Sequence, residues 1–114
     1  MTKLTPVLIA DTIETCLPFW TERLGFRKTS EGPGYVILNK GGVEIMYQTP
    51  EFADLESAGP AVFSIEVENI EEIEARMEGL EPVIPLRQMS YGAAEIGYRE
   101  PAGNVVIFAM QAGY

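Results

Sequence analysis

A chain of 114 residues is one domain by length, and its 46% hydrophobic content supplies a modest core. The formal charge of −9, from 17 acidic and 8 basic residues, disfavours nucleic acid and anionic membrane surfaces, which need a basic footprint, and attracts cationic small molecules. The absence of histidine removes Ser-His-Asp and Cys-His catalysis, histidine general bases and histidine-ligated metal.

No apolar run approaches the roughly 20 residues of a membrane span, and Met1 to Pro6 lacks the regions of a signal peptide. A single cysteine, Cys16, forms no internal disulfide and suits a reducing compartment. The expected location is the cytoplasm. With no histidine to activate it, Cys16 reads as a small apolar residue on a helix.

The first segment, Leu4 to Ala10, reads as a strand. Asp11 and Glu14 have capping-box spacing, which predicts a helix running to Leu24 with Ile13, Cys16, Leu17, Trp20 and Leu24 on its apolar stripe. Pro18 removes a backbone donor inside that helix, so it kinks there or begins late. Gly25 closes it. Three strands follow: Phe26 to Ser30, Tyr35 to Asn39 and Val43 to Gln48, joined by Gly32-Pro33-Gly34 and Lys40-Gly41-Gly42 turns. Thr49 to Pro60 reads as a linker rich in Pro, Gly, Ser and acidic residues.

The pattern then repeats. Ala61 to Val67 is a strand, and Asn69 caps a helix from Ile70 to Gly79 with Ile70, Ile73 and Met77 inward. Pro82 to Gln88, Ala93 to Tyr98 and Val105 to Met110 are three more strands, the last two separated by Glu100-Pro101-Ala102-Gly103-Asn104. Setting the halves together aligns Thr5 with Val62, Ile13 with Ile70 and Gln48 with Gln111, which argues for duplication. The fold class is α+β, with module one at residues 1–50, the linker at 49–60 and module two at 61–114.

Alternation sorts each strand into two faces. Val43, Ile45 and Tyr47, with Phe63, Ile65, Val67, Val106, Phe108 and Met110, form apolar sets that pack under helices. Glu44, Met46 and Gln48, with Val62, Ser64, Glu66, Ile107, Ala109 and Gln111, form the mixed face. With Thr5 and Val7 that face looks like a small-molecule site, mostly apolar with a few placed polar groups. Glu44 and Glu66 have no evident cation on their strands, and a cationic ligand would relieve an unpaired carboxylate. Tyr35 and Tyr98 lie on corresponding middle strands and are candidates to stack on a planar ligand. Trp20 reads as core, Tyr47 and Tyr91 as core or rim, and Arg87 as a gate, an anion clamp or a solvent-facing side chain.

Phe19-Trp20-Thr21-Glu22-Arg23-Leu24-Gly25-Phe26, the Glu100-Pro101-Ala102-Gly103-Asn104 turn and the repeated strand-helix opening resemble the vicinal oxygen chelate superfamily, which includes glyoxalase I, extradiol dioxygenases, fosfomycin-resistance enzymes and bleomycin-binding proteins. The resemblance covers nearly the whole chain. It implies two tandem βαβββ modules forming a curled mixed sheet with a concave cleft and helices on the convex face. It places the family's four metal-ligand positions at Thr5, Glu44, Val62 and Ile107, of which only Glu44 is a good ligand. No cofactor and no metal are therefore expected, and the metal-free bleomycin-resistance-like branch is the nearest functional relative.

The expected function is binding of a small cationic or planar molecule, possible antibiotic sequestration of the bleomycin-resistance type, with Thr5, Glu44, Met46, Gln48, Ser64, Glu66, Tyr35, Tyr98 and Gln111 as ligand-binding residues and none assigned to catalysis. The alternatives are a lyase or isomerase using Glu44 as base, with its pKa raised by an apolar cleft, and a metal-dependent member recruiting Glu44 and Glu66. Exposed sheet edges and the family's habit of completing its site between chains predict a homodimer.

Overall fold

The computed structural model describes residues 2–55 and 59–111. They divide into two compact units, 1–59 and 60–114. Each unit holds one four-stranded mixed sheet. The first contains β1 (Val7–Ile9), β2 (Arg27–Gly32), β3 (Tyr35–Lys40) and β4 (Val43–Gln48) in the order β1-β4-β3-β2. The second contains β5 (Val62–Glu66), β6 (Ile84–Gln88), β7 (Ala93–Arg99) and β8 (Val105–Gln111) in the order β5-β8-β7-β6. In both, the first strand lies parallel to the last and the other pairings are antiparallel. Two tandem βαβββ modules with the same strand order are the structural counterpart of the repeat seen in the sequence.

The helix of the first module is the largest departure from expectation. A 3-10 turn at Ile13–Thr15 is followed by a π-helical stretch at Phe19–Arg23. The cause is Pro18, which stands at the N-cap of that stretch and has no N–H to pass the helical ladder on. The Thr21 hydroxyl donates to the Leu17 carbonyl at 3.0 Å, giving that oxygen a side-chain donor. The Asp11–Glu14 capping box does not form: Thr12 is the N-cap, without a side-chain hydrogen bond. Gly25, at φ +77°, ends the segment as expected, and the Phe26 N–H returns to the Trp20 carbonyl at 2.9 Å.

This segment covers one face of the first sheet. Leu8, Val36, Leu38, Ile45 and Tyr47 are buried there with Cys16, Phe19, Trp20, Leu24 and Phe26. Trp20 is edge-on to Phe19 and Phe26, with ring centroids 5.2 and 5.0 Å away, and its indole N–H donates to the Tyr47 hydroxyl at 2.8 Å. The Phe-Trp…Leu-Gly-Phe stretch is thus a core-and-turn motif, and Trp20 is core as its place on the stripe implies.

Within the expected linker, Pro50–Ala53 forms a one-turn helix, α1, capped by Thr49, whose Oγ1 accepts from the Phe52 N–H at 3.3 Å. Residues 56–58 of that linker lie outside the described residues. The second module's helix, α2 (Ile70–Arg76), is capped as expected by Asn69, whose side chain accepts from the Glu71 and Glu72 N–H groups. It ends three residues before Gly79 and buries Ile70 and Ile73 beside Met77.

The turn before β8 is also structural. Glu100 is buried and its Oε1 accepts from the Asn104 backbone N–H at 2.6 Å and from Nδ2 at 2.9 Å. Asn104 Oδ1 in turn accepts from the Ala61 N–H at 2.7 Å, tying the turn to the chain entering β5. Gly103 sits at φ +97°, a conformation glycine adopts without strain.

Candidate functional site

The face of each sheet opposite its main helical segment, residues 13–23 in the first and α2 in the second, is its helix-free face and carries the candidate residues other than Tyr98; each unit is described separately. In the first sheet the register sets Val7 beside Met46, Ile9 beside Gln48, and Tyr35, Ile37 and Asn39 beside Gln48, Met46 and Glu44. Partners in a register share a face, so Glu44, Met46 and Gln48 oppose the buried Ile45 and Tyr47, as the alternation requires. All three are half-buried. The Gln48 amide donates to Met46 Sδ at 3.1 Å. Tyr35 is on this face too; its ring packs 5.2 Å from that of Phe52 and its hydroxyl is 3.4 Å from Ser30 Oγ.

Glu44 is not the unpaired carboxylate expected from its strand. Thr5 Oγ1 donates to Oε1 at 2.7 Å and Lys3 Nζ pairs with Oε2 at 3.0 Å. The Thr5 hydrogen bond, then that of Lys3, holds the carboxyl below its ordinary 4.5. The direction is opposite to the one a general base in an apolar cleft would need. Strand-by-strand reading missed Lys3 because it lies before β1 and meets β4 only through the parallel pairing.

In the second sheet, Phe63, Ile65, Val106, Phe108, Ile96 and Tyr98 face α2, and Ser64, Glu66, Ile107, Ala109 and Gln111 share the opposite side. Tyr98 is a correction. It pairs with Val106, is buried, and packs 6.4 Å from the Phe108 ring. Burial, then the charges of Glu74 and Glu81, raises its phenol pKa. Tyr98 is a core residue, whereas Tyr35 on the corresponding strand has the opposite facing.

One row of the helix-free side crosses all four strands: Glu66, Ala109, Glu95 and Arg87 are successive register partners. Glu95 was not anticipated. It is 7% exposed, and its carboxylate accepts from Arg87 Nη2 at 3.1 Å and Nε at 3.3 Å, and from the Tyr91 hydroxyl at 2.8 Å. These bonds, Tyr91's first, lower its pKa, and the same contact raises that of Tyr91. Arg87 is therefore half of an ion pair with Glu95, and its side chain is exposed, as the solvent-facing reading has it. The signal available in the sequence was a lone carboxylate inside the otherwise apolar run Ala93 to Tyr98. Glu66 is exposed and makes no side-chain hydrogen bond or ion pair among the described residues.

Residues 4–108 match the Glyoxalase/Bleomycin resistance protein/Dioxygenase superfamily. The chain belongs to that superfamily. Solved structures with the same fold include lactoylglutathione lyase from Agrobacterium tumefaciens, 18% identical, covering 96% of this chain and 92% of that one at a TM-score of 0.82. A bleomycin-binding protein from bleomycin-producing Streptomyces verticillus, complexed with copper(II)-bleomycin, is 22% identical over 100% of this chain and 98% of that one, with a TM-score of 0.72. A glyoxalase/bleomycin resistance protein/dioxygenase from Nocardioides is 20% identical, covering 98% and 84%, with a TM-score of 0.76. No curated protein matches the chain.

The positions that the resemblance assigns to metal ligands do not suit a metal in this member. Thr5 and Glu44 are bonded to each other, the Lys3 ammonium holds the remaining Glu44 oxygen, and Val62 and Ile107 have no donor atom. Among the described residues no three His, Cys, Asp or Glu side chains converge as a metal site would need. No described helix is long and apolar enough to cross a membrane.

Proposed function

We propose that this superfamily member binds a small cationic or planar molecule without a metal, holding it rather than transforming it. The observation that carries the reading is the row Glu66–Ala109–Glu95. Two carboxylates flank a small apolar residue, with backbones roughly 10 Å apart across two strand spacings. Glu95 is fixed by Arg87 and Tyr91, while Glu66 is free to pair. An ammonium or guanidinium over Ala109 would meet Glu66 directly and extend apolar parts along Ile107. On the first sheet, Met46, Gln48 and Tyr35, with Val7, form a similar apolar surface with few polar groups. The bleomycin-binding neighbour supplies the precedent for sequestration in this fold.

The lyase or isomerase reading needs Glu44 as base, and the bonds from Thr5 and Lys3 make it a weak one. We also infer a homodimer, because exposed apolar residues lie on or beside the edge strands: Leu4 and Val7 at β1, Val62 on β5. The lone, buried Cys16 suits the reducing cytoplasm.

Titration calorimetry against Ni, Zn, Mn and Fe(II), followed by a bleomycin-type cationic glycopeptide, tests the reading. Saturable binding of the glycopeptide with no metal heat is expected. Tight stoichiometric metal binding would replace this proposal with metal-dependent chemistry.

A further inference from the structure

Acids outnumber bases 17 to 8 in this chain, so a basic residue that lacks a carboxylate partner marks a locally positive spot on an acidic molecule. Lys3, Lys28, Arg76 and Arg87 are each ion-paired. Arg27 and Lys40 are not, and they line the same shallow depression of about 260 Å³ at the end of the β2–β3 ladder. Its other walls are Gly25, Thr29, Asn39 and Gly41; among the described residues no acidic side chain lines it, and Glu44 stands one strand beyond Asn39, paired with Lys3. Arg27 and Asn39 are register partners on the helix-free face. Asn39 is fixed by its Nδ2 donating to Thr29 Oγ1 at 2.8 Å, and Thr29 Oγ1 in turn lies 3.4 Å from the Ile37 carbonyl. Lys40 Nζ spends one donor on the Leu24 carbonyl at 2.5 Å, which anchors the ammonium and leaves its other protons. The Arg27 guanidinium touches no partner among the described residues. Gly41, at φ +58°, has open space where a side chain would stand, so the approach is clear.

From this arrangement we propose that the depression is a binding site for a phosphate group, free or carried by a small ester. The arginine fork matches two phosphate oxygens, and lysine adds a point charge from a fixed position. The acidic surface elsewhere repels anions, so binding there would be confined to this spot. The depression belongs to the first unit and the row proposed above to the second, and its test is independent of that reading.

The test is an NMR titration of the isotope-labelled protein with inorganic phosphate at constant ionic strength, chloride being the balancing anion. A parallel arm uses phenyl phosphate. Saturable shifts at the Gly25 and Gly41 amides and at Arg27 Nε are expected, in the millimolar range. Arg27→Ala, which removes no side-chain hydrogen bond or ion pair among the described residues, weakens them by about tenfold or more, as loss of one charge-assisted contact does. Arg99→Ala, at the end of β7 in the other unit, leaves them unchanged. Tighter binding of phenyl phosphate would assign the site to an ester, and equal binding to the phosphate group alone. Shifts that chloride reproduces, or that survive Arg27→Ala, would overturn the proposal.

Discussion

Thr5 Oγ1 donates to Glu44 Oε1 at 2.7 Å, so two positions that the family resemblance assigns to metal ligands are bonded to each other. Together with Lys3 this holds Glu44 below 4.5. A carboxyl depressed in the folded state contributes stability that is present above its unfolded pKa and lost as pH falls through its folded pKa. Thr5→Val should bring the Glu44 titration back toward 4.5 and flatten the loss of stability below that pH. Carbon-detected titration of the Glu44 carboxyl, with denaturation at several acidic pH values, checks both. An unshifted Glu44 in the variant would show that the hydroxyl does not control it.

The Trp20–Tyr47 hydrogen bond is a polar link inside the first module's core. Both side chains are fully buried. Tyr47→Phe keeps the ring and removes the acceptor of the indole N–H, which should cost about 1–3 kcal/mol. Urea denaturation monitored by Trp20 fluorescence measures it. A change within error would mean that the indole N–H finds another acceptor as the core relaxes.

The facing of β4, β5 and β8 was legible because Glu44-Ile45-Met46-Tyr47-Gln48 and its counterparts alternate, and only one facing buries the large residues, whereas the order of strands within each sheet came from the structure. Helix geometry was less so. Pro18 announced a defect, and a kink or a late start were the readings it allowed; the π-helical stretch at Phe19–Arg23, with Thr21 bonded to the Leu17 carbonyl, is visible only in the structure. Tyr98 was misplaced because correspondence between modules was used where register was needed: Tyr35 pairs with Gln48, while Tyr98 pairs with Val106. The Arg87–Glu95–Tyr91 cluster joins two strands and a turn, and its pairing spans a register shift between Ile84 and Arg87 that no residue count could supply. The two motifs that carry the family resemblance proved to be core and turn residues, so they report fold and leave the ligand open.

The Glu100–Asn104 clamp predicts a stability effect with no bearing on binding. Asn104→Ala removes the Nδ2 bond to Glu100 and the acceptor of the Ala61 N–H, both at buried or half-buried groups. Loss of about 2 kcal/mol or more is expected, measured by chemical denaturation. A neutral result would mean that water takes both partners.

The edge strands predict self-association. Leu4 is 87% and Val62 65% exposed, and β1 and β5 each have one unpaired edge in their sheets. Light scattering at micromolar concentration should return a dimer mass, and Val62→Lys should lower it if β5 takes part. A monomer mass for the parent protein would remove the inference.

The cation-binding row makes two predictions that separate charge from shape. Glu66→Gln keeps size and hydrogen bonding but removes the free carboxylate, so affinity for a cationic glycopeptide should fall about tenfold, the scale of one charged contact. Glu44→Gln should do much less, since Lys3 already neutralises that group. Ala109→Leu keeps both carboxylates and fills the space between them at a half-buried position. It should abolish binding while leaving the denaturation midpoint nearly unchanged. Calorimetry on the three variants distinguishes the outcomes. If Glu44→Gln is the damaging change and Ala109→Leu is silent, the ligand sits on the first sheet instead, with Tyr35 and Met46 as its apolar contacts.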